Sequence, residues 1–217
     1  VFQNNSAGQG GALAVQNARV YRAVEDSRAY QCLILDILDV FYQPEGSKED
    51  LDLVLGFIQG FSKVDALALR MEQGGHFVAT HSRGYSPAFL EQGCTRCLRG
   101  VSGELAAAPP GAVLTERGSL WANDLGRTAC PCSDSGYGGV ALIPLPVGPA
   151  TRGILQLHCR GSRSFTPALV ERLEGAARSV AIGLERRWAE ESLRAINQEL
   201  ESRVRERTGQ LAASNRD

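Results

Sequence analysis

The chain has 217 residues, of which 43% are hydrophobic and 22% charged, so it can build a globular core. Its formal net charge of -1 argues against nucleic acid or an anionic membrane surface as the main partner. No run approaches the roughly 18 apolar residues of a membrane-spanning helix, and the first residues lack the features of a signal peptide. Six cysteines in a chain of this size favour thiols in a reducing compartment over a disulfide framework, so we expect a cytoplasmic protein without direct membrane contact.

Two helices are predicted at the start of the chain. Between Gly11 and Tyr42, apolar residues recur at helical spacing, which predicts one long helix or two helices with a joint around 26–28. A second, amphipathic helix follows, with Ser47 as its N-cap. Its inward stripe is predicted to consist of Leu53, Val54, Phe57, Ile58 and Phe61.

A β-sheet is predicted from about residue 65 onward. Alternating apolar residues on both sides of the Gly74-Gly75 pair indicate a β-hairpin. Two further apolar runs, Val140 to Leu145 and Gly153 to Cys159, flank a turn rich in proline and glycine. We expect these two runs to be the central strands of the sheet.

A long helix is predicted at the C-terminal end. Thr166 is its expected N-cap, Pro167 suits the first helical position, and nothing interrupts the helix for nearly fifty residues. Beyond Trp188 the apolar residues become fewer and form one narrow stripe along the helix, which we call the seam. Such a stripe favours a parallel homodimeric coiled coil over an isolated helix. The spacing of the seam departs once from the heptad, a stutter that locally unwinds a coiled coil. The seam residues are Leu193, Ile196, Leu200, Val204 and Leu211.

Several stretches resemble the GAF family of sensor domains. The stretch GYGGVALIPLPVGPATRGILQLH resembles the GAF core strands, and GSLWAND and the flanking helical stretches are similar to the same family, over roughly residues 11–217. The resemblance implies an α+β fold: a GAF-like antiparallel sheet with helices on one face, flanked by long N- and C-terminal coiled-coil helices. It divides the chain into a signalling helix that ends a preceding sensor segment (1–43), a GAF domain (44–187) and a second signalling helix (188–217).

The function implied by the resemblance is regulatory. Such a module detects a small molecule, a metal or a redox state in a Cys-lined pocket and relays it through a dimeric helix to an output domain in the parent chain, as in bacterial sensor histidine kinases. The fragment itself is not expected to be an enzyme. One alternative is a GAF-fold reductase of free methionine sulfoxide with Cys94, Cys97 or Cys132 as nucleophile, and another is a passive dimerisation spacer. The long projecting helix argues against the reductase.

Four cysteines form a candidate metal site. Cys94 and Cys97 are a C-x2-C pair, Cys130 and Cys132 are a C-x-C pair, and the GAF resemblance brings both pairs to the rim of one pocket. Four thiolates suit tetrahedral zinc or an iron-sulfur cluster, because both prefer soft ligands. A thiol-disulfide switch, a catalytic role and simple filling of a crowded loop remain open as alternatives.

Further pocket candidates lie outside the cysteines. Trp121 could form a wall of the pocket, with Ser119 and Asn123 offering hydrogen bonds from alternating strand positions, although Trp121 also suits a core or interface position. The other candidates are Tyr85, Tyr137 and His76. Haem held by one of the histidines is a further candidate cofactor, although no second sequence feature supports it.

Three other residues of chemical interest are interpreted as structural. Cys32 lies on the apolar stripe of the first helix and Cys159 ends a core strand, so both are expected to be buried thiols. His158 alternates with the core-facing residues of its strand, so it is expected on the solvent side rather than as a ligand.

Overall fold

A computed structural model of the chain describes residues 6–43, 49–74, 76–92, 111–125, 131–147, 153–161 and 165–214. Within them, six strands form one sheet in the order β2-β1-β6-β5-β4-β3, and every pairing is antiparallel. The strands are β1 (Ala66–Gln73), β2 (His76–Arg83), β3 (Val113–Leu114), β4 (Leu120–Ala122), β5 (Gly139–Leu145) and β6 (Gly153–Cys159). The helices are α1 (Ser6–Tyr42), α2 (Glu49–Ser62), α3 (Pro87–Gln92), α4 (Pro131–Asp134) and α5 (Pro167–Ser214).

This architecture confirms the predicted α+β fold class, with long helices at both ends. The predicted hairpin is β1 and β2, and its turn includes Gly74 with φ of 59°, a backbone conformation that glycine adopts without strain. The two predicted central strands are β5 and β6, and β6 lies between β5 and β1.

One face of the sheet packs against α1, α2 and α5, and we call this layer the helix-side core. The strand residues of this core alternate along the central strands, as in Ala141 and Ile143 of β5 and Leu155 and Leu157 of β6. Fully burying one such leucine or isoleucine stabilises the fold by about 1.5–3 kcal/mol. The helices contribute a matching set of buried side chains: Leu33, Ile37, Val40 and Phe41 from α1, Val54, Leu55 and Ile58 from α2, and Val170, Leu173, Val180 and Leu184 from α5.

The first helix is continuous and is buried only toward its C-terminal end. Its core-facing stripe runs through Leu33, Ile37 and Phe41, and the described side chains from residue 14 to 29 are exposed. Cys32 is exposed, because it lies one residue outside this stripe and about 100° around the helix from Leu33, so its predicted burial is wrong. Cys159 is buried as expected.

The second helix follows its predicted pattern except at Leu53. Val54 and Ile58 are buried in the helix-side core, whereas Leu53 is 53% exposed because it lies at the edge of the stripe. The predicted N-cap Ser47 lies outside the described residues. No helix in the described part of the chain combines the length and apolarity needed to cross a bilayer.

The last helix begins as predicted and continues to Ser214. The Leu169 N–H donates to the Thr166 hydroxyl at 3.2 Å, which is the geometry of an N-cap, and Pro167 is the first helical residue. Every described side chain from Glu191 to Gln210 is exposed. The second half of α5 therefore projects from the sheet and helices that anchor its first half.

Helices α1 and α5 lie side by side and run in the same direction. Tyr30 of α1 lies against Gly175 of α5, and Phe41 lies against Gly183, so residue numbers rise together along both helices. A Cβ atom at Gly183 would overlap the Phe41 ring, so this close approach requires a glycine. The exposed parts of α1 and α5 consequently leave the domain at opposite ends.

An ion pair joins the three helices close to the end of α1. The Arg187 guanidinium on α5 donates to the Asp50 carboxylate of α2 at 2.5 Å and to the Val40 carbonyl of α1 at 2.9 Å. It also lies over the Phe41 ring, 4.9 Å from the centroid. Because both charged side chains are largely buried, loss of either one would leave an uncompensated charge.

Substitution of Gly183 by alanine tests the close packing of α1 and α5. The new methyl group must displace the Phe41 ring, so we expect Gly183→Ala to lower the free energy of unfolding by about 1–3 kcal/mol in urea titrations followed by circular dichroism. Gly209→Ala is the matched control, because Gly209 is also helical but has no atom within 4 Å of its Cβ position. Equal stability of the two variants would contradict the packing described.

Candidate functional site

The opposite face of the sheet carries a second buried cluster. Its strand residues are the alternate side chains Ala66, Leu120, Ala122, Val140, Leu142 and Ile154. The short helices α3 and α4 add Phe89 and Cys132, and Tyr137 follows α4. We call this surface the ligand face; it is closed by different elements from those that cover the helix-side core.

His158 lies inside this cluster and is 0% exposed. The strand register explains its position: Ile154, Gln156 and His158 share one face of β6, and His158 is flanked by Ala66 of β1 and Val140 of β5. The interpretation of His158 as a solvent-side residue is therefore wrong. Its face of β6 is buried because α3, α4 and the residues beside them cover it.

Both nitrogens of the His158 ring have hydrogen-bonding partners. The Tyr85 hydroxyl lies 2.6 Å from Nδ1, and the Cys132 Sγ lies 3.1 Å from Nε2. A neutral imidazole donates a hydrogen bond from one nitrogen and accepts one at the other. The His158 Nε2 therefore either accepts a hydrogen bond from the Cys132 thiol or donates one to its sulfur. The pair can thus exchange one proton between thiol and imidazole, which is how an imidazole generates a thiolate.

Aromatic rings hold the imidazole in place. Tyr137 packs 4.8 Å from the His158 ring centroid, and Tyr85 and Phe89 each meet it edge-on at 5.6 Å. Tyr85 and Phe89 stack on each other at 5.0 Å, and Arg160 lies over the Tyr137 ring at 5.1 Å. The orientation of the imidazole is therefore fixed by packing as well as by hydrogen bonds.

A second buried polar pair lies farther along the same face. Arg70 donates from Nε to the Gln156 Oε1 at 2.5 Å and from Nη1 to the Phe77 carbonyl at 3.3 Å. Arg70 is 3% exposed and Gln156 is 0% exposed, and the Gln156 Nε2 has no hydrogen-bond partner within the described ranges. The amide thus presents N–H donors on this face, which suits an acceptor-rich ligand group.

The structure brings together two of the six predicted pocket residues, Tyr85 and Tyr137, at 5.8 Å between ring centroids. Trp121 packs against the helix-side core and lines a surface groove of about 310 Å³ beside α5. His76 is exposed at the start of β2. These two side chains therefore lie away from the His158 cluster.

Asn123 and Ser119 lie at the two ends of β4. The Asn123 Oδ1 accepts from the Phe165 N–H at 2.6 Å, and its Nδ2 donates to the Phe165 carbonyl at 2.8 Å. Asn123 thereby attaches the end of β4 to the residues that enter α5. Ser119 is buried, and its hydroxyl has no partner in the part of the chain that the structure describes.

Of the four predicted metal-binding cysteines, only Cys132 is among the described residues. Cys94, Cys97 and Cys130 lie outside them, so the four-cysteine site stays a prediction. Within the described residues, no group of three or more His, Cys, Asp or Glu side chains could hold a metal ion. The thiol of Cys132 and the imidazole of His158 are nevertheless both of the type that zinc binds.

Comparison with solved structures identifies the architecture. The GAF domain of a protein described as a sensor histidine kinase from Pseudomonas syringae pv. tomato matches 80% of this chain and 99% of its own length, with a TM-score of 0.54 and 19% identity. The chain has the GAF fold. No protein-family model matches the sequence, and the comparison with curated proteins gives no match.

Two other GAF domains show the range of proteins that use this fold. One, from a phosphoenolpyruvate-protein phosphotransferase of Coxiella burnetii, covers 76% of this chain and 98% of its own, with a TM-score of 0.57 and 17% identity. The other is the phycoerythrobilin-bound GAF domain of a cyanobacterial phytochrome, with 76% and 99% coverage, a TM-score of 0.55 and 11% identity. At these identities the similarity shows the fold alone.

Replacement of Asn123 separates its structural contacts from a ligand role. Asn123→Ala removes both hydrogen bonds to Phe165, so we expect a loss of about 1–3 kcal/mol in the free energy of unfolding, measured by urea titration. Gln198→Ala, an exposed change on the side of α5 away from the apolar seam, is the control and should cost far less. A stable Asn123→Ala variant would argue against the attachment described.

Proposed function

We propose that this chain is the regulatory sensor segment of a multidomain bacterial signalling protein in the cytoplasm, with a histidine kinase as the output domain of the parent chain. The proposal rests on one observation: strands β5 and β6 contribute buried side chains to both faces of the sheet. In β5 and β6, alternate side chains point to the ligand face, and those between them pack in the helix-side core with α5. A ligand that displaces these strands would therefore displace α5.

Two attachments link the sheet to the start of α5 and support such a relay. Asn123 holds Phe165 just before the helix, and the Thr115 hydroxyl donates to the Glu174 carboxylate at 2.6 Å. Glu174 also pairs with Arg117 at 3.3 Å, although the exposed position of Arg117 makes this ion pair weak. Movement of the β3–β4 region would therefore displace the first turns of α5.

We propose that the chain acts as a homodimer through the projecting part of α5. Leu193, Ile196, Leu200 and Val204 are each at least 52% exposed in the single chain. At 100° per residue they fall within one stripe of the helix, so a second copy would cover them. The stutter in their spacing would allow two alternative packings, which suits a relay.

The signal that we propose is a small molecule, a metal or a redox state at the ligand face. For a metal, Cys94, Cys97, Cys130 and Cys132 remain the proposed ligands, with zinc or an iron-sulfur cluster as the group and haem as a lesser candidate. The buried Cys132 beside His158 supports a site of this kind, because a thiolate and an imidazole are both soft enough for zinc.

Metal content tests the ligand proposal. We expect about one zinc or two to four irons per chain in anaerobically purified protein, and loss of most of the metal in the Cys94→Ser plus Cys97→Ser variant. Cys32→Ser removes an exposed thiol elsewhere and should retain the metal. Substoichiometric metal in the unaltered protein would exclude the metal site.

Amide exchange on the same samples tests the relay. Removal of the metal with a chelator should change hydrogen exchange along 189–210, as measured by mass spectrometry. A passive dimerisation spacer predicts unchanged exchange in this segment.

Charge substitutions test the dimer seam. Ile196→Glu plus Leu200→Glu places two charges in the proposed seam, and we expect the sedimentation velocity profile to shift from dimer to monomer. Gln198→Glu plus Ser202→Glu adds the same charge on the opposite side of the helix and should remain dimeric. Identical behaviour of the two variants would contradict the coiled coil.

A further inference from the structure

We propose that strand β3 and the groove beside it form a docking site for an extended basic peptide segment of a partner protein. This surface lies apart from the ligand face and from the proposed seam, so its occupant is distinct from the signal and from the second copy of the chain. Three features of the surface carry the proposal: an open strand edge, an apolar groove and an acidic rim. Each of them determines one property of the partner.

The outer edge of β3 is open to pairing. β3 is the last strand of the sheet, and no strand lies on its outer side within the described residues. The Thr115 N–H donates to the Ser119 carbonyl at 2.8 Å, so the backbone groups of Thr115 point toward β4. Because these directions alternate along a strand, the N–H and C=O of Leu114 point away from β4. An extended segment can therefore pair with Leu114 and add a strand to the sheet.

The groove of about 310 Å³ lies beside this edge, between β3 and β4 on one side and the first turns of α5 on the other. We call it the β3 groove; its lining includes Val113, Thr115, Trp121, Pro167, Glu171 and Glu174. Val113 and Trp121 lie directly opposite each other on the helix side of the sheet, and Leu114 lies on the other face. Val113 and Leu114 are 44% and 49% exposed. An added strand would therefore cover Leu114 with one set of alternate side chains and fill the groove with the other.

The rim of the β3 groove is acidic. Glu171 and Glu174 lie along one side of α5, and Glu116 lies in the turn between β3 and β4. Arg117 is the one basic side chain among the lining residues, and it already pairs with Glu174 at 3.3 Å. Glu116 and Glu171 form no ion pair within the described part of the chain. Two carboxylates therefore remain to attract a basic partner.

Lysine and arginine match both the groove and its rim. Their aliphatic stems can cover Val113 and Trp121 while the charged head reaches Glu171. The partner segment should alternate these residues with apolar ones, because neighbouring side chains of a strand point to opposite faces. The other edge strand, β2, has the sequence HFVATHSR and carries no acidic side chain. Charge therefore directs a basic segment to β3, where it would contact the first turns of α5.

Peptide titration of the 217-residue chain tests the docking site. The probe is a fluorescein-labelled peptide of alternating lysine and valine, followed by fluorescence anisotropy at low salt, and nuclear magnetic resonance reports the exchange of the Leu114 amide hydrogen. We expect saturable binding, exchange of the Leu114 amide slowed at least about tenfold in the complex, and unchanged exchange in β2. The same peptide with N-methylated backbone amides keeps its charges but cannot pair as a strand, so it should bind about tenfold more weakly.

Two charge reversals on α5 test the acidic rim. Glu171→Lys should weaken binding of the lysine–valine peptide about tenfold, because it replaces attraction by repulsion at the groove. Glu191→Lys is the matched control: Glu191 is also exposed on α5 but lies five turns beyond the groove, so the affinity should change less than about twofold. Equal affinities of the two variants, with native circular dichroism, would overturn the proposal.

Four other outcomes would also overturn it. Equal affinity of the N-methylated peptide would indicate charge attraction without strand pairing, and protection in β2 would indicate the wrong edge. Binding of N-acetyl-lysine amide as tightly as the peptide would indicate a small-cation site. Protection of the Leu114 amide that rises with protein concentration without peptide would assign the edge to a second copy. None of these measurements depends on a metal, on the ligand face or on the seam, so failure of the sensor role would not affect them.

Discussion

The structure depends on a central strand that is buried on both faces. All seven residues of β6 are buried, with Leu155 and Leu157 toward the helices and Gln156 and His158 toward the ligand face. A polar side chain in such a position is costly unless it is hydrogen-bonded. Gln156 is accordingly bound by Arg70, and His158 by Tyr85 and Cys132. The chemistry of the site thus follows from the burial of the strand.

The same strand shows where sequence reasoning succeeds and where it fails. The N-cap at Thr166, the hairpin at Gly74 and the bounds of β5 and β6 are set by neighbouring residues, so they could be predicted. The environment of His158 could not, because an alternating strand usually has one solvated face and the groups that bury this one lie 73 and 26 residues earlier in the chain. The near-continuous apolar character of β5 and β6 was the signal that both faces are covered.

The candidate site likewise contains residues whose positions could be predicted from the sequence and residues whose positions could not. Tyr85 and Tyr137, both predicted pocket residues, meet at 5.8 Å between ring centroids, and their role in ligand binding stays a prediction. Strand parity separates Trp121 from them: Leu120 and Ala122 occupy the ligand face, so the residue between them must face α5. The predicted burial of Cys32 is wrong for the corresponding helical reason, since a shift of one residue turns a side chain by about 100° around the helix.

The parallel arrangement of α1 and α5 has a consequence for chain architecture. Tyr30 meets Gly175 and Phe41 meets Gly183, so the polypeptide enters and leaves the domain with the same polarity and with its two free helical ends pointing apart. A module of this kind can be inserted into a helical stalk without reversing the direction of the chain. Repeated insertion would lengthen the stalk along one axis, and each domain would be joined end to end with its neighbours.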